Sequence, residues 1–486
     1  MALILPDGAP PAFGFPAMSE AVARIPRELA FTHDALPLNI VEGILVVALP
    51  DPDDAEVLDT LRAATRLRVR ALPMARDAIR DQLRQAYGEA APVALRPAGR
   101  DAPAVRLLDQ IFARAIAAHA SDIHLEPQPR GGGSVRLRVD GVLRTLDPIP
   151  AELFPPLTSR LKLIAGMNIA DRRQPQDGRC AIPFEQRDID ARVSSVPTAD
   201  GEKLVVRLLD RYGAMPDLGR LGMPAPMLER YRAAARAPWG CIVVAGPTGS
   251  GKTTTLYASL GELDVASRNV CSVEDPIEMR VPGVTQVQVN PRAGLTFPSV
   301  LRAFLRQDPN VIMVGEMRDR ETAAVAIGAA LAGQTVFTTL HANDGPRTIE
   351  RFLELGTPRH ALAGALTAIV AQRLVRTLCE RCRAREPVSD EMRAALRWPH
   401  ESWYVARGCR ACSGTGYVGR TGVYELIDVD DTIRDAIAAG ASSVQLASAA
   451  RSAGFRPMIA DGIAKVLDGV TTFDEVMRVV AWTALP

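Results

Sequence analysis

Gly246-Pro247-Thr248-Gly249-Ser250-Gly251-Lys252-Thr253 follows the apolar run Cys241-Ile242-Val243-Val244-Ala245 and precedes Thr254-Thr255-Leu256-Tyr257-Ala258-Ser259-Leu260, which suits a helix. The pattern predicts a strand, a glycine loop and a helix start in immediate succession. Glycines let successive backbone N–H groups curl round a chain of phosphates with no Cβ in the way, and the helix N-terminus adds partial positive charge. In that geometry Lys252 reaches the outer phosphates and the Thr253 hydroxyl ligates Mg²⁺. Residues 246–254 are therefore the expected cradle of a nucleoside triphosphate. A glycine-rich turn without a ligand is the competing reading, and the complete eight-residue pattern in its strand–helix setting argues against it.

Three later stretches fit the same chemistry. Val311-Ile312-Met313-Val314-Gly315-Glu316 reads as an apolar strand ending in a carboxylate, a Walker B element with Glu in place of Asp, so Glu316 is expected to hold Mg²⁺ through water. Between it and the cradle, Asn269-Val270-Cys271-Ser272-Val273 leads into Glu274-Asp275-Pro276-Ile277-Glu278. Ligands of open α/β sheets gather at the carboxyl ends of strands, where an acid can orient and deprotonate attacking water. Of the three acids there, Glu278 is chosen for that role. Val336-Phe337-Thr338-Thr339-Leu340-His341-Ala342-Asn343 is another strand ending in polar groups, and His341 could contact the γ-phosphate, although a lone histidine is more often structural. Taken in order, the four stretches predict an α/β, doubly wound motor domain that hydrolyses ATP.

In this arrangement the sequence resembles the type II/type IV secretion and pilus-assembly ATPases. Residues 246–253 match that family's Walker A, 274–278 its Asp box, 314–319 its Walker B and 339–341 its His box, with the likeness running from about residue 103 to the C-terminus. The resemblance implies a RecA-like domain preceded by a PAS-like one, in a hexameric, Mg²⁺-dependent cytoplasmic ATPase that drives pilin-like subunits out of the inner membrane. It supports Glu278 as catalytic acid and strengthens His341. It also implies arginine fingers at Arg192 and Arg207, and another nucleotide-directed arginine, Arg373, within Gln372-Arg373-Leu374. Type II secretion is favoured over type IV pilus extension, because the N-terminal region is short and a four-cysteine element is present. Retraction motors generally lack both.

The chain has 486 residues, which suggests about three domains. The expected division is a docking domain over 1–88, a linker rich in Ala, Pro and Arg over 89–103, an arginine-bearing domain over 104–215 and the ATPase domain over 219–486. The first unit shows a strand at 44–49, a helix at 55–64, another strand near 67–71 and a helix at 76–87, with no catalytic constellation. The resemblance implies that this unit binds the cytoplasmic part of an inner-membrane platform protein. In the second, a helix over 105–119 and alternating Val135-Arg136-Leu137-Arg138-Val139, turning at Asp140-Gly141, predict a hairpin with both arginines on one face. Arginines on otherwise apolar strands, Arg192 and Arg207 among them, need a carboxylate, a phosphate or solvent.

Of seven cysteines, Cys379, Cys382, Cys409 and Cys412 form two CxxC pairs 26 residues apart. Each pair can present two thiolates to one corner of a tetrahedron, so a structural Zn²⁺ insertion over 379–412 is expected rather than disulfides or redox chemistry. Cys241 and Cys271 fall in predicted buried strands as small core residues, and Cys180 stands apart. Hydrophobic residues make up 47% and charged residues 23%, with a formal net charge of +1, so nothing pulls the chain as a whole toward nucleic acid or anionic lipid. No stretch has the roughly 18 apolar residues of a membrane span, and the first residues lack a basic leader. A cytoplasmic location follows, with membrane association only through a partner. Two rival classes remain: a nucleic-acid-translocating ring ATPase, disfavoured by 5% aromatics and no interleaved Arg/Tyr tract, and a nucleotide-binding scaffold that does not turn over.

Overall fold

The computed structural model describes residues 19–41, 43–87, 103–129, 131–184, 187–209, 215–396, 398 and 400–480. All of the expected linker but Pro103 lies outside these residues. The chain divides into two compact units, Met1–Leu137 with Arg144–Leu208, and Arg138–Leu143 with Leu209–Pro486.

In the first unit, α1 (Ser19–Arg24), α2 (Arg27–Thr32), β1 (Leu36–Val41), β2 (Ile44–Leu49), α3 (Ala55–Thr65), β3 (Arg68–Pro73) and α4 (Arg76–Tyr87) come first. β1 pairs antiparallel with β2, and β2 parallel with β3 across α3. The core of this part, from Ala21 to Leu83, is built from these elements and from Ile25 and Ala35 between them. α3 starts where the Asp54 carboxylate accepts from Val57 N–H and stops where Arg66 turns left-handed at φ 56°.

The same unit continues with α5 (Pro103–Ala117), β4 (Asp122–Pro127), β5 (Gly133–Val139), β6 (Val142–Ile149), α6 (Phe154–Ile164), β7 (Gln176–Phe184), β8 (Arg187–Thr198) and β9 (Gly201–Leu209). Its six strands lie in the order β6-β5-β4-β9-β8-β7. Along β5 buried and half-buried residues alternate, which sends Val135, Leu137 and Val139 inward and Arg136 and Arg138 to the other face. The expected turn is present, with Asp140 and Gly141 at φ 51° and 82°.

In the second unit, α7 (Ala225–Ala235) leads into β10 (Gly240–Ala245), α8 (Lys252–Gly261), β11 (Val270–Glu274), β12 (Thr285–Gln288), α9 (Phe297–Phe304), β13 (Val311–Val314), α10 (Arg320–Leu331), β14 (Thr335–Leu340), α11 (Gly345–Glu354), α12 (Arg359–Ala365) and β15 (Leu366–Leu378). A small excursion, β16 (Ala384–Pro387), α13 (Asp390–Leu396) and β17 (Ser402–Val405), precedes the returning β18 (Tyr417–Asp428). Helices α14 (Asp431–Ala439), α15 (Ser443–Ser452), α16 (Met458–Leu467) and α17 (Phe473–Val479) follow.

The seven main strands order as β12-β11-β13-β14-β10-β15-β18, parallel throughout except that β18 runs antiparallel to β15. β10, β11, β13 and β14 are buried at every residue, as a sheet covered on both faces requires. One apolar cluster packs Cys241, Val243 and Ile312 against α9, α10 and α11; another packs Ile242, Val244 and Met313 against α7 and α8. Tyr424-Glu425-Leu426-Ile427 lies inside the edge strand β18. Its residues 422–427 are buried because its side chains enter the clusters on both faces.

Candidate nucleotide site and tetracysteine centre

Strand register brings the four stretches to one edge. Ala245, the last residue of β10, pairs with Leu340 of β14 and Ala371 of β15, while Val273 of β11 pairs with Val314 of β13. One step beyond these pairs stand Gly246, His341, Gln372, Glu274 and Gly315, all at the carboxyl edge of the parallel strands. Cross-links hold that edge: Gly315 N–H donates to Val273 O at 2.9 Å, Thr339 Oγ1 to Gly315 O at 2.7 Å and Met317 N–H to Thr339 O at 3.1 Å.

The loop from Gly246 to Gly251 takes the backbone path its glycines permit. Gly249 and Gly251 sit at φ 78° and 87°, and a Cβ on Gly246 would stand 2.8 Å from Gln372 O. Pro247, Thr248 and Gly249 are exposed, while Ser250 and Lys252 are buried. Helix α8 begins at Lys252 after Gly251, with no side-chain cap on its first N–H groups, a helix start of the kind suited to an anion. Thr253 is half-buried and Thr254 exposed on this first turn. The Lys252 ammonium donates to Gly246 O at 2.9 Å and Pro247 O at 3.0 Å. Burial lowers its pKa to about 8, with Arg373 acting in the same direction and Glu316 opposing.

Glu316 is largely buried. It pairs with Arg318 through one carboxylate oxygen, and its other oxygen lies 3.7 Å from His341 Nε2. Burial, then the Lys252 charge, lower the His341 pKa against the pull of Glu316, so the imidazole is neutral at pH 7. Lys252 of the loop and helix start, and Glu316 and His341 at the ends of two strands, thus interact electrostatically with one another.

Of the acids after β11, Glu274 is buried and fully engaged: Tyr257 OH donates to one oxygen, and Ser272 Oγ (2.6 Å) and Gln286 Nε2 (3.1 Å) to the other. It is a structural anchor. Glu278 is exposed, and its backbone N–H donates to Tyr257 OH at 3.1 Å, beside that of Met279 at 3.2 Å. Tyr257 therefore ties the cradle helix to the acid-bearing loop, a role the sequence reading missed.

Arg373 Nη2 donates to Asn343 O at 2.9 Å and Nη1 to Gln372 O at 3.0 Å, fixing the guanidinium on the segment that follows His341. Further along, the buried Glu425 carboxylate accepts from Gly345 N–H at 2.7 Å and Met458 N–H at 2.8 Å; burial raises its pKa to about 7. In the first unit, Arg207 Nε meets Asp122 Oδ1 at 3.0 Å, its cross-strand partner, and Arg136 is held by Glu126. Arg192, half-buried on β8, lies opposite Arg179 of β7.

Away from the cradle, Cys379 follows β15 and Cys409 and Cys412 precede β18. Cys379 and Cys409 sulfurs are 3.9 Å apart, those of Cys382 and Cys412 3.8 Å, those of Cys409 and Cys412 3.8 Å, and all four lie within 4.8 Å of one another. A tetrahedron with Zn–S bonds of about 2.3 Å has edges of about 3.8 Å, so the donor set fits Zn²⁺. Burial opposes ionisation of Cys412, yet the N–H groups of Cys409 and Gly416, each 3.1 Å from its sulfur, bring its pKa down to about 6. Cys241 and Cys271 are core thiols, whereas Cys180 is half-buried on β7.

Sheet, glycine cradle and strand-end acids together define a RecA-like P-loop ATPase. Residues 98–478 match the family described as "Type II/IV secretion system protein", and residues 12–93 match the "MshEN domain". The chain belongs to the type II/IV secretion system protein family and is an ATP-hydrolysing enzyme. Among its relatives, type II secretion system protein E of Pseudomonas aeruginosa is 46% identical over 78% of this chain and 76% of its own. The type IV pilus assembly ATPase PilB of Myxococcus xanthus is 36% identical over 96% of this chain and 89% of its own. Among solved structures, the pilus retraction motor PilT with bound ADP superposes at a TM-score of 0.52, with 25% identity over 77% of this chain and 97% of that one. Among the described residues no helix is long and apolar enough to cross a membrane.

Proposed function

We propose that this chain is the motor ATPase of a type II secretion system, working as a homohexamer in the cytoplasm and reaching the inner membrane through the cytoplasmic domain of a platform protein. Convergence of Lys252, Glu316 and His341 on the glycine cradle carries the ATPase part of this reading. The pathway rests on the 46% identity to a type II secretion protein. Type IV pilus extension is the second reading, favoured by the pilus-assembly relative that spans 96% of the chain.

In this reading residues 246–254 hold the phosphates and Lys252 spans the β- and γ-phosphoryl groups. Thr253 and, through water, Glu316 would hold Mg²⁺, which would supply neutralisation of charge on the phosphate oxygens. Glu278 takes a proton from the attacking water as the γ-phosphoryl group leaves ADP. His341, neutral and next to Glu316, donates to the γ-phosphate, and Arg373 steadies the segment that bears it. Arg192 and Arg207 act as arginine fingers, Arg207 leaving Asp122 to do so. Residues 1–88 dock the platform protein, 89–103 link, 104–215 carry the fingers, 219–486 hydrolyse ATP, and Zn²⁺ on the four cysteines stiffens the last of these.

Glu278→Gln tests the chemistry. Turnover should be lost while ATP binding persists, and a variant that still hydrolyses ATP would remove Glu278 from its role. Stimulation by the platform domain is expected; stimulation by single-stranded nucleic acid with steep salt dependence would place the chain among nucleic-acid motors instead.

A further inference from the structure

Gln372 is a polar residue that follows the apolar run Ala368–Ala371 of β15, and only 1% of its surface is exposed. A buried primary amide is unfavourable unless both ends are paired, and here both are. Its Nε2 donates to Ser250 O at 2.7 Å, and its Oε1 accepts from Thr255 Oγ1 at 2.8 Å. Both partners belong to the cradle, Ser250 to the loop and Thr255 to the first turn of α8. A peptide unit points its carbonyl and the following N–H in opposite directions. Holding the Ser250 carbonyl from the strand side therefore turns the Gly251 N–H away from the strand, toward the concave side of the loop. The Ser250 carbonyl can only accept, so the amide nitrogen must face it, and the Thr255 hydroxyl, 2.8 Å from Oε1, gives its single hydrogen to the other end. A Cβ on Gly251 would stand 3.1 Å from Nε2, so strand and loop are already in van der Waals contact.

We infer that Gln372 is a positioning residue for phosphate binding, acting through the Ser250–Gly251 peptide and never touching the nucleotide. The inference rests on the reading of residues 246–254 as a nucleotide cradle. It sets Gln372 apart from Arg373, which points to Asn343 on the other side of the same strand. An orienting residue of this kind shapes the seat of the β-phosphate, which ADP and ATP share, and leaves the chemical step alone.

The test is equilibrium binding of ADP and ATP with Mg²⁺, alongside steady-state turnover, on the full chain carrying Gln372→Leu, with wild type and Lys252→Ala as references. One buried hydrogen bond corresponds to about tenfold in affinity. Gln372→Leu should weaken ADP and ATP alike by about tenfold, raise KM in step and leave kcat at saturation within about twofold. Thr255→Val, which removes only the hydroxyl that orients the amide, should show the same pattern at about threefold and keeps the test available if Gln372→Leu fails to fold. Unchanged ADP affinity in the folded variants, or a loss confined to kcat, overturns the inference. Failure of wild type itself to bind nucleotide would overturn the cradle reading instead.

Discussion

Lys252 should make nucleotide affinity fall steeply with alkaline pH. Its ammonium is buried against Gly246 O and Pro247 O, and burial brings its pKa to about 8. Only the charged form pairs with phosphate, so the apparent Kd rises as the protonated fraction falls. With a pKa of about 8, that fraction is about 0.8 at pH 7.5 and about 0.1 at pH 9, which predicts roughly eightfold weaker binding across the interval. The nucleotide's own phosphates titrate near pH 6, outside this window. Calorimetric titration of ADP with Mg²⁺, repeated in buffers of different ionisation enthalpy, should also record uptake of close to one proton at pH 9. Lys252→Arg, whose guanidinium stays charged, should bind with little pH dependence over the same range. Equal profiles for wild type and Lys252→Arg, or affinity that improves with pH, would refute the argument. Linkage gives a second sign: the unfolded chain binds more protons than the folded one between pH of about 8 and the ordinary lysine value of 10.5. The lysine term in stability therefore rises with pH through that window.

Two other outcomes follow from the same geometry. Tyr257→Phe removes the donor to Glu274 and the acceptor for the Glu278 and Met279 N–H groups; it should cost about 1–3 kcal/mol in denaturant unfolding and lower kcat more than ADP affinity, and an unchanged kcat would detach Tyr257 from the acid loop. Purified protein should carry about one zinc per chain by elemental analysis, Cys409→Ser should lose it with a lower Tm, and zinc-free wild-type protein of full stability would contradict the tetracysteine reading.

Much of the site was legible because its parts are local. The glycines, Lys252 and the start of α8 form a pattern eight residues long, and Glu316 and His341 each end an apolar run that can only be a covered strand. Glu274 is consumed by Tyr257, Ser272 and Gln286, which leaves Glu278 as the proposed base. Gln372 and Tyr257 were not legible as site residues. Gln372 meets its partners 117 and 122 positions away in sequence, and no local period reports such a contact. The edge strand β18 gives no local signal for a related reason: residues 422–427 are buried without a break and so lack the alternation that marks a strand.

The ribbon of β15 and β18 has a mechanical consequence. Its thirteen-residue strand β15 starts within the sheet beside β10, passes Gln372 at the cradle and ends at Leu378, next to Cys379, while its antiparallel mate begins at Tyr417, just past Cys412. With Zn²⁺ on the four cysteines the cluster would clasp the two free ends, so that one strand could not slide along the other without tearing the clasp. What happens to phosphate at the middle of this ribbon can therefore travel its length only as twist or bend, never as slippage, over a span of about 40 Å.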